Sequence, residues 1–312
     1  MAKLLQNKIA ESKLTLPVTA LYALTIWLLC GVAAGRWWLQ LGCFAISTYL
    51  MMELNNVHVL IRIYSRMVSS AFLVLSCAAC FLFPSWRVAV LTICFVAFQL
   101  IWFLTYQEKQ APGTTYYAFL FLGLATFAFP QVIFFLPVLW LLMATNLLSL
   151  SWRNWAASLL ALLTPYWFWG CWLLYQQDFT PLVSHLASIA DFQQVFDIDS
   201  IPHPQLLTLL FLMLLTVIGS IHFLHKSYND KIRIRMFYAI FIWIDLLAMA
   251  FILLQPQHFD LLLPIVIVTT APLVGHYLAL TSTRFTNITF FTILLFAGGL
   301  TLYHLWNTSY LF

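Results

Sequence analysis

One carboxylate stands out among the residues that could do chemistry, because it lies inside a long apolar segment. Asp245 follows Ile242-Trp-Ile and precedes Leu246-Leu in a stretch that holds no other charge. An ionisable side chain at the centre of a bilayer costs about 3 kcal/mol on insertion scales and commonly marks a functional site. We therefore take Asp245 as the first candidate, either as a proton carrier, a cation ligand or a catalytic carboxylate. The alternative is a carboxyl group that is neutral or hydrogen-bonded and only fixes helix packing.

A second candidate group lies in the polar segment 176–204. Asp197 and Asp199 form an Asp-x-Asp triplet, and His203 follows four residues later. Paired carboxylates with an imidazole can hold a divalent cation or act as acid and base. A solvated acidic loop is the alternative. Apolar residues recur at helical spacing after Thr180-Pro181, namely Leu182, Leu186, Ile189, Phe192 and Phe196. This spacing predicts an amphipathic helix lying on the membrane surface.

Basic residues are the candidates for binding lipid or phosphate. Lys231, Arg233 and Arg235 form one cluster, and Arg62 with Arg66, spaced i to i+4, forms another. Basic residues beside a span attract anionic lipid at about 1 kcal/mol each. Membrane topology by itself also explains such clusters.

Histidines are the candidates for binding a metal ion. His222 and His225 lie one helical turn apart and could share a metal ion, but no third ligand is visible beside them. His276 lies in another apolar segment. We predict no metal site and no cofactor.

The composition determines which elements position these residues. Of the 312 residues, 63% are hydrophobic and 8% are charged, whereas soluble domains are about 45–50% apolar and about 25% charged. Backbone groups in lipid must be satisfied within helices or closed barrels. The runs at 119–129 and 133–143 are apolar on every side and lack the alternation of barrel strands. We therefore predict an all-α polytopic transmembrane helix bundle. The bilayer is its main partner, and nucleic acid is not one.

Apolar runs and their proline boundaries predict about eleven spans within a single transmembrane domain, residues 1–312. Their expected bounds are 15–34, 38–52, 67–83, 88–105, 115–129, 131–150, 155–175, 205–224, 236–254, 261–280 and 286–305. With the N-terminus inside, all of the 14 basic residues except Arg36 and Arg87 fall on the cytoplasmic side, Lys3 among them. The C-terminus then lies outside, and segment 176–204 is an outer loop.

A resemblance covers residues from about 50 to about 300. Segment 121–132, the motif Trp152-Arg-Asn-Trp155 and the motif Thr164-Pro-Tyr166 resemble an uncharacterised family of multi-span inner-membrane proteins from Bacteroidota. More faintly, the same stretch resembles polytopic glycosyltransferases that use polyprenyl-phosphate sugars. Those enzymes carry an acidic residue in the first outer loop, which here reads Gly35-Arg-Trp37. The resemblance implies a bacterial inner-membrane location and, if the protein is an enzyme, a membrane glycosyltransferase-like transferase.

Three functions follow from these observations. The first expectation is a protein of envelope biogenesis that handles a lipid-linked glycan or a similar amphiphile. The second is a proton- or cation-coupled transporter or flippase in which Asp245 binds the ion. The third is a non-catalytic membrane scaffold or assembly subunit that binds other membrane proteins.

Overall fold

The fold is entirely helical in the part of the chain that the structure describes. The structure is a computed structural model that describes residues 5–309, apart from the side chains of residues 198, 308 and 309. It is 83% helical and contains no strand in that range. The predicted all-α class is confirmed. Lys3 lies outside the described residues.

Fourteen α-helices follow one another within residues 5–309. They are α1 (Leu5–Glu11), α2 (Thr15–Leu29), α3 (Val32–Gly35), α4 (Trp38–His58), α5 (Met67–Ala78), α6 (Trp86–Trp102), α7 (Pro112–Ala128), α8 (Leu136–Thr145), α9 (Trp152–Gln176), α10 (Thr180–Ala187), α11 (His203–Lys226), α12 (Ile232–Leu254), α13 (Phe259–Leu280) and α14 (Arg284–Ser309). Short 3₁₀ segments lie at Cys80–Leu82, Phe103–Thr105, Pro130–Phe135, Ser188–Ala190, Ile198–Ser200, Ser227–Asn229 and Pro256–His258.

Several of these helices have the length and hydropathy of transmembrane helices. Among the described residues, six helical segments are long and apolar enough to cross one: Trp86–Thr105, Trp152–Gln176, His203–Asn229, Ile232–Leu254, Pro256–Leu280 and Arg284–Asn307. Helices α1 and α2 form a seventh such segment only if their 90° bend belongs to one span. Apolar helices of this length indicate a membrane protein in a lipid bilayer.

The helix bounds differ from the sequence prediction where polar residues or glycine set the ends. Helix α2 ends at Leu29 instead of continuing to residue 34, because Gly31 adopts a φ of 83°. Helix α4 continues past residue 52 to His58. Its end is set by Asn55, whose side chain accepts from the Ile61 amide at 3.2 Å and donates to the Ser65 carbonyl at 3.0 Å. Hydropathy alone misses this extension, because the last turn is polar.

The segment predicted as the span 131–150 is interrupted. Residues Pro130–Phe135 form a 3₁₀ segment, and the following α8 contains only 10 residues. Pro137 explains part of the break, since it has no amide hydrogen to donate and its ring crowds the preceding turn. The segment is helical as far as Thr145 but is not one continuous α-helix.

Helix α13 is the central element of the bundle. Its apolar window is 94% buried, and it packs against α5, α6, α11 and α12. A second row of helices runs through α4, α6, α7 and α9, and α2 and α14 pack on α5. A helix that is apolar on all sides belongs in the interior of a bundle. Polar side chains on α13 therefore lie as deep in the protein as the fold allows.

The segment between α9 and α11 folds back over the end of α12. The side-chain oxygen of Gln255 accepts from the Gln193 amide at 3.0 Å, and its amide nitrogen donates to the Gln193 carbonyl at 3.3 Å. The predicted amphipathic helix is present only as α10, Thr180–Ala187. Phe192 and Phe196 lie beyond it, because the backbone near Gln193 bonds to Gln255 instead of continuing the helix.

Candidate functional site

Asp245 is completely buried and surrounded by hydroxyl groups. Its exposed fraction is 0%. The Thr269 hydroxyl donates to Oδ1 at 2.9 Å, while Thr216 and Thr270 donate to Oδ2 at 2.6 Å and 3.0 Å. Oγ1 of Thr216 also lies 2.9 Å from Oγ1 of Thr270. The carboxyl group and three threonines form what we call the Asp245 cluster. Within residues 5–309, no basic side chain forms an ion pair with it.

Three helices supply the Asp245 cluster because they can approach closely. Thr216 lies on α11, Asp245 on α12, and Thr269 and Thr270 on α13. One turn beyond Thr216, Gly219 faces α13, and a Cβ placed there would lie 2.9 Å from Cβ of Leu273. Glycine at this position lets the two backbones come together, as small residues do in membrane helix pairs. The close approach places the α11 hydroxyl within reach of both α13 and Asp245.

The Thr269 hydroxyl has three alternative acceptors for its single hydrogen. Besides Oδ1 of Asp245, its oxygen lies 2.9 Å from the Ile265 carbonyl and 3.1 Å from the Val266 carbonyl. When Asp245 is ionised, the hydroxyl can donate to the carboxylate. When Asp245 is protonated at Oδ1, the carboxyl can donate to Oγ1, and the threonine can donate to its own helix. The cluster therefore satisfies both protonation states after a hydroxyl rotation alone.

A second polar layer lies two helical turns from the first along the same three helices. Seven residues separate Thr216 from Phe223, Tyr238 from Asp245, and Thr269 from His276. Seven residues return a helix to the same face about 10 Å away. The three rings pack together: Tyr238 lies 4.8 Å from His276 and 4.7 Å from Phe223, measured between ring centroids.

His276 connects this layer to the loop between α11 and α12. Its Nε2 lies 3.0 Å from Oδ2 of Asp230, and the two side chains are 1% and 4% exposed. Its other ring nitrogen, Nδ1, is buried without a hydrogen-bond partner, and so is Nε2 of His222. The two imidazole rings lie 5.8 Å apart. This layer, which we call the His276 layer, thus extends from a loop carboxylate into the bundle.

The other acidic candidates do not join Asp245. Asp197 and Asp199 are exposed in the segment that covers the end of α12, and the structure does not connect them with His203 at the start of α11. Asp245 lies about 15 Å along α12 from the Gln255 contact. In residues 5–309, no three His, Cys, Asp or Glu side chains are grouped closely enough to hold a metal ion.

The two basic clusters become neighbours through their loops. Arg62 donates to the Asn229 carbonyl at 3.3 Å, and Arg233 donates to the His58 carbonyl at 3.2 Å. Arg66 donates to the side chain of Asn56 at 2.8 Å. Residues 59–66 are not helical, so Arg62 and Arg66 do not lie one helical turn apart.

The two remaining members of the second basic cluster have different surroundings. Lys231 is exposed immediately before α12, whereas Nε of Arg235 is buried without a hydrogen-bond partner. Lys231 therefore remains accessible to an anionic headgroup.

Sequence reasoning found Asp245 and named His276 but missed their partners. Thr216, Thr269, Thr270 and Asp230 were not identified, because threonine is tolerated in apolar helices and Asp230 sits in a basic loop. The adjacent Thr269-Thr270 pair between Pro264 and Pro272 was the available signal. Hydroxyl donors in the interior of a bundle are expected to face another polar group.

Comparison of the chain with protein-family models, with curated proteins and with solved structures gives no match. The Asp245 cluster and the His276 layer are therefore the features from which function is inferred.

Proposed function

We propose that the protein is a proton-coupled membrane transporter or flippase in which Asp245 gains and loses the coupling proton. The observation that carries this proposal is the Asp245 cluster, where a fully buried carboxyl group has hydroxyl partners for both of its protonation states. A carboxyl group that only fixes helix packing needs hydrogen-bond partners in only one of its two protonation states. Intramembrane carboxylates of proton pumps and transporters occupy comparable positions.

The distances favour a proton over a larger cation. A carboxylate and three hydroxyl oxygens would also suit a metal cation chemically. The oxygen atoms, however, lie 2.6 to 3.0 Å apart, which is direct hydrogen-bond contact. Asp245 lines none of three prominent cavities among the described residues. A cation would have to separate α11, α12 and α13, whereas a proton requires no added space.

The His276 layer is the proposed route for the proton. Asp230 and His276 form a hydrogen-bonded pair beside the α11–α12 loop, and two ring nitrogens without a partner, Nδ1 of His276 and Nε2 of His222, lie beside this pair on α13 and α11. Tyr238, a member of this layer, donates at 3.4 Å to the carbonyl of Pro272, which lies between Thr269 and His276 on α13. The separation of about 10 Å requires water or a helix movement during transfer. Such an intermittent connection is what alternating access demands.

The proposed topology has eleven spans, with the N-terminus in the cytoplasm and the C-terminus outside, in a bacterial cytoplasmic membrane. Each of the eleven predicted spans overlaps a helix of the structure, and this supports the proposed number. In this orientation the Asp230 loop faces the cytoplasm and segment 176–204 faces outward. The coupling proton therefore enters or leaves on the cytoplasmic side.

A pH jump tests the proposal without knowledge of the substrate. Proteoliposomes adsorbed on a solid-supported membrane give a transient current when protons bind within a protein. We expect this current in the wild type, its loss in Asp245→Asn, and an unchanged current in the exposed-carboxylate control Asp199→Asn. A sodium jump at constant pH should give none. Equal pH-jump currents in the wild type and Asp245→Asn would refute the proposal.

A second candidate function is envelope biogenesis involving a lipid-linked glycan or a similar amphiphile. It is favoured by a cavity of about 360 Å³ between α12 and the outer segment, lined by aromatic residues that include Phe134, Phe192 and Phe251. Asp197 and Asp199 follow in the same segment and would act as acid or base. This function predicts that the double variant Asp197→Asn/Asp199→Asn loses transfer from a polyprenyl-phosphate sugar while keeping the pH-jump current. A non-catalytic scaffold predicts no current and no transfer in the wild type.

A further inference from the structure

An apolar groove opens on the side of the bundle formed by α1, α2, α5, α13 and α14. Its volume is about 480 Å³, which is within the range of pockets that bind small organic molecules. Helices α1 and α2, which meet at a 90° bend, both contribute to its wall. Representative lining residues are Leu14, Val18, Val74, Leu278, Ile293 and Leu294.

The groove has the shape and surface of a hydrocarbon site. On α5 its lining extends from Met67 to Leu75, which corresponds to about 12 Å along the helix. The polar groups of its wall bond to protein partners. The Thr19 hydroxyl donates to Ser70 at 3.3 Å, and the Tyr22 hydroxyl donates to Thr301 at 2.9 Å. The wall therefore offers mainly apolar contact to a chain lying along it.

Positive charge is concentrated at one end of the groove. Lys8 precedes the lining residue Ile9, Lys13 precedes the lining residue Leu14, and Arg66 precedes Met67. Lys8 and Lys13 are exposed. Glu11 lies between Lys8 and Lys13, and the Arg66 side chain bonds to Asn56 on α4, so two basic side chains stand against one carboxylate at the α1–α2 bend. The opposite end, at Tyr22, Leu75 and Gly298, is bordered by no charged chain neighbour.

We propose that this groove is a binding site for an anionic phospholipid. One acyl chain lies between α2, α5 and α14, and the phosphate lies at the α1–α2 bend beside Lys8 and Lys13. A hydrocarbon chain with a negative head matches an apolar groove with a basic end, whereas a zwitterionic lipid gains less from that end. This inference is independent of the coupling role of Asp245, since no residue of the Asp245 cluster lines the groove.

Two adjacent glycines provide a matched pair of variants. Gly298 lines the groove, and Gly299 does not. A Cβ at either position meets no atom within 4 Å, so both tolerate a larger side chain. Gly298→Leu should fill the groove, and Gly299→Leu adds the same side chain outside it. Lys13→Gln tests the basic end, with the exposed Lys109→Gln as its control.

Native mass spectrometry of protein incubated with equal amounts of phosphatidylglycerol and phosphatidylcholine is the test. We expect one phosphatidylglycerol retained by the wild type, by Gly299→Leu and by Lys109→Gln, and about a tenfold loss of retention in Gly298→Leu. Lys13→Gln should reduce the preference for phosphatidylglycerol about fivefold. Equal retention of both lipids by the wild type would overturn the proposal. So would equal retention by Gly298→Leu and Gly299→Leu, or an unchanged preference in Lys13→Gln.

Discussion

The close contact between α11 and α13 at Gly219 gives the sharpest test of the packing around Asp245. In Gly219→Ala, the new Cβ would lie 2.9 Å from Cβ of Leu273 and 3.2 and 3.3 Å from its backbone carbon and oxygen. These atoms belong to the backbone or lie next to it, so they cannot rotate away. The two helices must separate, and with them the hydroxyls of Thr216 and Thr270.

The expected magnitude comes from two opposing effects. Overpacking of a close-packed interior costs about 1–3 kcal/mol, while replacing glycine by alanine inside a helix contributes about 0.8–1.0 kcal/mol of stability. Gly42→Ala on α4 is the matched control, because a Cβ there meets nothing within 4 Å. Gly42→Ala gains the stability that alanine gives a helix but creates no steric overlap with a neighbouring helix. Gly219→Ala should therefore be less stable than Gly42→Ala by about 1–3 kcal/mol.

Thermal unfolding in detergent, followed by circular dichroism, measures this difference. Gly42→Ala should melt at or slightly above the wild-type temperature, and Gly219→Ala should melt several degrees below Gly42→Ala. The pH-jump current of Gly219→Ala should also fall, since Thr216 moves away from Asp245. Equal melting temperatures of the two variants would show that α11 and α13 are not in the contact described here.

Three further predictions concern the loops. Asn55→Ala should destabilise the fold by about 2 kcal/mol, because two loop backbone groups lose their partner, and proteolysis after α4 should increase. Gln255→Ala should accelerate amide hydrogen exchange at Gln193 and leave the exchange rates of the core helices unchanged. Burial holds the pKa of His185 below its ordinary value, so its charging opposes folding. The protection factor of α10, which corrects for the fall of the intrinsic exchange rate with pH, should decrease as pH falls below about 6.5, and should not decrease in His185→Gln. A pH-independent protection factor in the wild type would contradict this.

The all-α class could be predicted because it depends on the overall hydrophobic content of the chain and not on single residues. A chain with 63% hydrophobic residues satisfies its backbone in lipid only by a few architectures, and the runs around residues 119–143 excluded strands. Helix ends were less predictable where single residues decide them. Asn55 ends α4 by bonding to residues 61 and 65, and such a contact cannot be inferred from hydropathy.

Asp245, the charged residue of the candidate site, was the only member of the Asp245 cluster that the sequence predicted. Asp245 is conspicuous because a carboxylate inside an apolar run is rare. Its threonine partners come from helices that are 24 to 29 residues away in sequence. Their arrangement depends on which helix faces are turned inward, and periodicity is uninformative for a helix such as α13 that is apolar on every side. Asp230 was hidden because its partner, His276, is 46 residues further along the chain.

Infrared difference spectroscopy of the purified protein between acid and alkaline pH tests the protonation of Asp245 most directly. We predict a protonated-carboxyl band that disappears in Asp245→Asn, remains in Asp199→Asn, and shifts in Thr269→Val, which removes the hydroxyl partner of Oδ1. A difference spectrum of Asp245→Asn identical to that of the wild type would contradict the assignment of Asp245 as the proton-binding group.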